Sequence, residues 1–145
     1  MKYSAFCKFD LEATGRKEAI EELLKEFPFG TGTRSLISGA LDIREQVGAT
    51  VVHKGISLPH CRSILVDSLT IAVGHSRKGI SWPDEKVHVV ILFVSPVKPS
   101  APEAHAVFLS HIAGVIRKSG NEICSAETAE DLFRLLDFEH LEQED

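Results

Sequence analysis

No apolar run in this sequence approaches the roughly 20 residues that a membrane-spanning helix needs; the longest candidate is Val87 to Val94. Cysteine is scarce. Cys7, Cys61 and Cys124 are odd in number and widely spaced, which argues against a disulfide framework and for a reducing compartment. The N-terminal stretch Met1-Lys2-Tyr3-Ser4-Ala5-Phe6 meets Lys8 and Asp10 too soon for a secretory apolar region. These features predict a cytoplasmic protein with no membrane insertion. The sequence holds no repeat, no low-complexity segment, no obvious linker and no Lys/Arg cluster dense enough for a nucleic-acid footprint. Its 145 residues fit one domain, 1–145, large enough to bury a core and too short for two comfortable ones.

The charge that is present is segregated. Residues 121–145 carry nine acids against Arg134 alone, so the remaining 120 residues sum to +3 within an overall net of −5. The acidity belongs to the C-terminal segment and the body is mildly basic. That balance suits a small anionic ligand or modification in the body and does not favour a polyanion.

Arg16 to Phe27 carries Ala19, Ile20, Leu23, Leu24 and Phe27 on one stripe before Pro28, which predicts a helix. Ser35 to Val47 predicts a second helix, apolar at Leu36, Ile37, Ala40, Leu41 and Val47, with Gly48 placed for a left-handed cap. Short β-like pieces follow at Thr50 to Val52 and Ile56 to Leu58, and Leu69 to His75 alternates like a half-buried strand. Val87 to Ser95, a near-continuous apolar run, predicts a central strand covered on both faces. Pro96, Pro99 and Pro102 mark the loop after it. Helical periodicity returns from Glu103 to Lys118, and a last helix starts at a Thr128 cap with Asp131 in the capping-box position, burying Leu132, Phe133, Leu135 and Leu136. Helices, then strands, then helices predict one α/β or α+β layered fold.

Seven histidines exceed what a core requires. A histidine that carries phosphate must be reachable by solvent, largely neutral and close to cations. His60 follows Pro59 at the end of an apolar piece, and residues 44–62 hold Arg44, Lys54 and Arg62 against Glu45 alone. From spacing alone an exposed loop histidine beside ordinary charges fits equally well. Zinc could be assembled from His53, His60, Cys61 and His105, but no familiar Cys/His ligand spacing appears, so no metal is expected. His111, six residues after His105, lies about 240° around a helix and cannot readily share its site. His88 reads as a hydrogen-bonded sheet residue, and His75 and His140 as surface residues. Trp82 beside Pro83 reads as a turn anchor. Gly48 to Gly55 is no phosphate-binding loop, because no Gly-Lys-Ser/Thr follows it.

The stretch from Arg44-Glu45-Gln46-Val47-Gly48-Ala49-Thr50 to Ile56-Ser57-Leu58-Pro59-His60 resembles the signature of fructose/mannitol-type enzyme IIA domains. These belong to the bacterial phosphoenolpyruvate-dependent phosphotransferase system, and the class includes the free-standing nitrogen-regulatory IIA proteins. The similarity extends over nearly the whole chain. It implies an α/β domain with a central mixed β-sheet flanked by helices. It further implies His60 as the phosphorylated residue, Arg44 as the arginine near the phosphate, and His105 as the second histidine of the site. The implied partners are an HPr-like histidine phosphocarrier and either a IIB domain or a regulated target protein, with no cofactor. A guanidinium suits a phosphate because it offers parallel donors and keeps its charge. His105, in the first turn of its helix, would sit where an anion is favoured and an imidazolium is not.

Two features depart from that signature. Val51-Val52-His53 stands where the family has Gly-Ile-Gly, and Ser57 and Cys61 occupy positions where small residues are expected. The loop before His60 is therefore expected to be shaped differently. Three functional readings follow: a phosphotransferase intermediate holding phosphate on His60 and regulating partners, a sugar-uptake component passing it to a IIB cysteine, and a regulatory module that is not phosphorylated.

Overall fold

The computed structural model describes residues 2–47, 51–53, 55–82, 85–97 and 103–143. In chain order the elements are β1 (Tyr3–Lys8), α1 (Arg16–Leu24), α2 (Thr31–Val47), β2 (Val51–His53), β3 (Ile56–Ser57), β4 (His60–Ser63), β5 (Leu69–Trp82), β6 (Glu85–Pro96), α3 (Ala104–Cys124), α4 (Ala129–Leu136) and α5 (Phe138–Gln143). Six strands form one mixed sheet in the order β1-β5-β6-β3-β2, with β4 also paired to β6. β5 and β6 make an antiparallel hairpin, whereas β1 joins β5, and β3 and β4 join β6, in parallel.

The near-continuous apolar run of β6 is a consequence of that position. Val89, Ile91 and Phe93 enter the core shared with α3, α4 and α5, while Val90, Leu92 and Val94 enter the core shared with α1 and α2. Period-two alternation sends successive side chains to opposite faces, so a strand sandwiched between two helical layers must be apolar throughout. The architecture is the α/β class expected, with the mixed sheet flanked by helices.

Local chemistry explains the helix ends. α1 stops at Leu24, ahead of the expected end, but Phe27 remains buried in the turn after it. α3 runs to Cys124, and its expected end at Lys118 coincides with a kink at Ser119, whose φ of −133° is non-helical. α4 begins as expected: the Thr128 hydroxyl oxygen accepts from the Asp131 backbone N–H at 3.1 Å. In that helix Leu132 and Leu136 are fully buried, whereas Phe133 and Leu135 are only partly so. Gly48, proposed as a cap, lies outside the described residues, as do Thr50, Lys54, Pro83, Pro99 and Pro102.

Tyr3–Lys8, without a helical or alternating pattern of its own, is a strand made so by a parallel partner more than sixty residues away. Of the apolar residues of α2, Ile37 and Leu41 are buried, whereas Leu36 is 66% and Val47 83% exposed. One expectation is corrected: His75 is no surface residue. It is 2% exposed, stacks on Phe9 with ring centroids 4.6 Å apart, and donates from Nε2 to the Cys124 carbonyl at 3.1 Å. His88 does behave as a sheet residue, donating from Nδ1 to the Ser76 carbonyl at 2.9 Å. Trp82 is buried at the end of β5, beside the hairpin turn.

His75 gives the fold a pH dependence whose sign can be worked out. Burial holds its pKa below the ordinary imidazole value, and Nδ1 finds no partner among the described residues. A proton there would be buried without an acceptor. Below about pH 6.5 the unfolded chain takes up that proton while the native state resists it. Stability is therefore expected to be full above that pH and to decline in acid. Urea denaturation at pH 7.5 and 5.5 checks this, and His75→Phe is expected to shrink the difference.

Candidate functional site

His60 opens β4, four residues that carry the polar sequence His-Cys-Arg-Ser and owe their extended form to pairing with β6. The register sets His60 against Phe93 and Arg62 against Ser95. Residues two apart on a strand share a face, so His60 and Arg62 stand on one side of the sheet with Phe93 and Ser95. Their rings confirm the placement: His60 stacks on Phe93 at 4.7 Å with the planes within 6° of parallel. Cys61 points the other way, toward the α1–α2 core, and burial pushes its thiol up to about 11. A thiol so protonated and so directed is a poor nucleophile.

One backbone hydrogen bond assigns the tautomer of His60. His60 Nδ1 lies 2.7 Å from the Leu58 carbonyl oxygen. A carbonyl can only accept, so Nδ1 carries the hydrogen and Nε2 keeps its lone pair. Pro59 between them is buried, and its carbonyl accepts from the Phe93 N–H at 3.1 Å, fixing the chain as it enters β4. Burial lowers the His60 pKa, the Leu58 bond works against that, and the Arg44 and Arg62 charges lower it further.

The structure brings His105 and Arg44 to this ring. His105 lies in the first turn of α3, its ring centroid 5.3 Å from that of His60 and 5.5 Å from that of Phe93. Phe93 thus underlies both imidazoles. Burial, then the charges of Arg62 and His60, press the His105 pKa down to about 4. The helix has no side-chain cap at Glu103, so its first turn retains N–H groups suited to an anion. Arg44, half-buried in the last turn of α2, acts on His60 through its charge. Its neighbour Glu45 is buried, 4.0 Å from the Arg16 guanidinium. Two neutral imidazoles flanked by guanidinium groups can hold a phosphoryl group: one ring offers a lone pair, the other a hydrogen-bonding edge.

Arg62, Phe93 and Ser95 belong to this face, and sequence reasoning left them out of the site. Arg62 was visible only as a charge. Its i+2 spacing from His60 would have placed it, had His60–Ser63 been read as a strand. The other histidines stay apart. His111 donates from Nε2 to the Leu136 carbonyl and stacks near the exposed His140. His53 packs on Gly120 and reaches Asn121 Oδ1 at 3.4 Å. Val51–His53 forms β2 against β3, in line with the β-like piece expected there and in place of the family's glycine loop, and Gly55 turns at φ +94°. Among the described residues no group of three or more His, Cys, Asp or Glu side chains could hold a metal ion, and no helix is long and apolar enough to cross a membrane.

These charges imply measurable titrations. In an NMR pH titration Arg44→Gln is expected to raise the His60 pKa, and Arg62→Gln to raise those of both His60 and His105, because each removes a cation that opposes protonation.

Comparison with known proteins gives the chain its relatives. Residues 4–138 match the family described as phosphoenolpyruvate-dependent sugar phosphotransferase system, EIIA 2. A nitrogen regulatory protein of Pseudomonas aeruginosa is 31% identical over 116 residues, which cover 78% of this chain and 72% of that protein. The crystal structure of nitrogen regulatory protein IIA-Ntr from Neisseria meningitidis superposes with a TM-score of 0.74 at 22% identity, covering 90% of this chain and 92% of that one. IIA mannitol from Escherichia coli gives 0.66 at 14% identity, covering 92% and 95%. At those identities the two structures speak for the fold.

Proposed function

Because the chain belongs to the phosphoenolpyruvate-dependent sugar phosphotransferase system EIIA 2 family, we propose that it is a phosphocarrier and regulatory IIA protein that accepts a phosphoryl group on His60 from an HPr-like histidine carrier. The observation that carries this reading is the His60–Leu58 hydrogen bond, which leaves Nε2 unprotonated beside a second neutral imidazole and two arginines. The Nε2 lone pair attacks phosphorus in line. The new N–P bond forms as the donor's N–P bond breaks, and the departing imidazole nitrogen keeps the electron pair. The phosphorylated ring becomes cationic, and the Leu58 carbonyl accepting from Nδ1–H steadies that charge. Arg44 and Arg62 offset the charge on the phosphoryl oxygens, and His105 presents a hydrogen bond to one of them. The work asked of the protein is positioning and charge compensation. The kinship with a nitrogen regulatory protein favours a regulatory role, in which the added charge changes which partner is bound, over transfer to a IIB cysteine.

Exposed apolar groups offer a landing surface. On α2, Leu36, Ile43 and Val47 fall within about 40° of one another around the axis, and all three are mostly exposed. Ile64, Leu65 and Val97 add exposed apolar area where β4 and β6 end, Val97 N–H donating to the Ser63 carbonyl. Exposed apolar groups on α2 and at the ends of β4 and β6 suit a transient protein partner.

Incubation with phosphoenolpyruvate, enzyme I and a cognate HPr-like carrier, followed by intact mass, is expected to show one acid-labile phosphoryl group. It should vanish in His60→Ala, and the His105→Ala rate should drop roughly 100-fold. Absence of label on the wild type sinks the carrier reading; label surviving His60→Ala moves the nucleophile elsewhere. Ile43→Glu is expected to raise the KM for the carrier about tenfold while leaving kcat nearly unchanged.

A further inference from the structure

We infer that Ser95 is a positioning residue for phosphoryl transfer: its hydroxyl donates to His105 Nδ1 and thereby places the His105 proton on Nε2, the edge that would meet the phosphoryl group. The inference rests on the carrier reading for its purpose, though not for its geometry. Ser95 is completely buried on β6, two residues beyond the Phe93 shelf and on the same face, and its Oγ lies 2.8 Å from His105 Nδ1. A buried hydroxyl hydrogen needs an acceptor, and that nitrogen supplies one. Were the bond reversed, with Nδ1–H donating to Oγ, two penalties would follow. The hydroxyl hydrogen would have to be satisfied elsewhere in a closed interior. His105 Nε2 would turn a bare lone pair toward anionic phosphoryl oxygens.

The two rings of the site are then set as opposites by two different acceptor–donor rules. The Leu58 carbonyl accepts, so His60 is protonated at Nδ1 and bare at Nε2. The Ser95 hydroxyl donates, so His105 is bare at Nδ1 and protonated at Nε2. One ring is thereby made the nucleophile and the other the hydrogen-bond donor, without either needing a full charge. Arg62 stands opposite Ser95 in the strand register, and its charge disfavours the doubly protonated His105 that would blur the distinction.

The test uses the intact protein. Long-range ¹H–¹⁵N histidine spectra at pH 7.5 report which nitrogen of His105 carries hydrogen. The wild type is expected to show the Nε2–H tautomer. Ser95→Ala should move His105 to the Nδ1–H form or to a mixture, and Ser95→Thr should restore the wild-type pattern. With the phosphorylated HPr-like carrier as donor, Ser95→Ala is expected to lower kcat roughly 10- to 100-fold with KM held within about twofold, and Ser95→Thr to recover it. Should the alanine variant not fold, Ser95→Cys keeps the volume and weakens the donor. A wild-type His105 protonated at Nδ1, or a tautomer indifferent to the loss of the hydroxyl, overturns the inference. If the wild type accepts no phosphate at all, the carrier reading fails on its own, and the tautomer measurement still decides the role of Ser95.

Discussion

The parallel register between β4 and β6 is the constraint from which the site follows. Four polar residues have no intrinsic reason to form a strand, and they do so because β6 offers an edge that β3 leaves open. That pairing fixes His60 over Phe93, turns Cys61 into the opposite core and lines Arg62 up with Ser95. A slip of one residue would exchange every face, burying the imidazole among the α1–α2 side chains and offering a thiol in its place. The site is therefore a property of sheet registration more than of the loop that precedes it, and β2 can replace a glycine loop without disturbing it.

Burial and charge act in the same direction at both imidazoles. Desolvation disfavours the cationic form, and the neighbouring guanidinium groups disfavour it again. Ordinarily a cluster of cations around histidines would be a cost to the fold. Here the rings remain neutral, so the arginines meet little repulsion from them. The Phe93 ring beneath both imidazoles limits their rotation, so their edges are set by packing as well as by hydrogen bonds.

Much of this was legible in the sequence, and the illegible parts share a cause. The stripe of α1, the apolar continuity of β6 and the Thr128 cap are local signals, and the structure reproduces them. His105 was correctly expected in the first turn of its helix. What could not be read is what non-local pairing imposes. β1 has no clear alternation and exists because β5 runs beside it; β4 is polar; and β5 continues through Ser76, Arg77, Lys78 and Gly79 across a register shift that breaks the period. His75 looked solvent-facing because nothing in its neighbours reveals Phe9 on one side and the end of α3 on the other. On α2, counting apolar residues could not separate a stripe that packs inward from one that faces outward, since both repeat at the helical period.

The Leu58 carbonyl also settles a question of regiochemistry. An imidazole has two nitrogens of similar basicity, and free histidine is attacked through either. At position 60 the backbone has already occupied one of them, so an alkylating reagent small enough to enter is expected to meet a single bare nitrogen, Nε2, and to yield a single isomer. The selectivity comes from the main chain two residues upstream, and it lasts as long as the ring keeps the orientation that Phe93 holds and that peptide plane stays where it is.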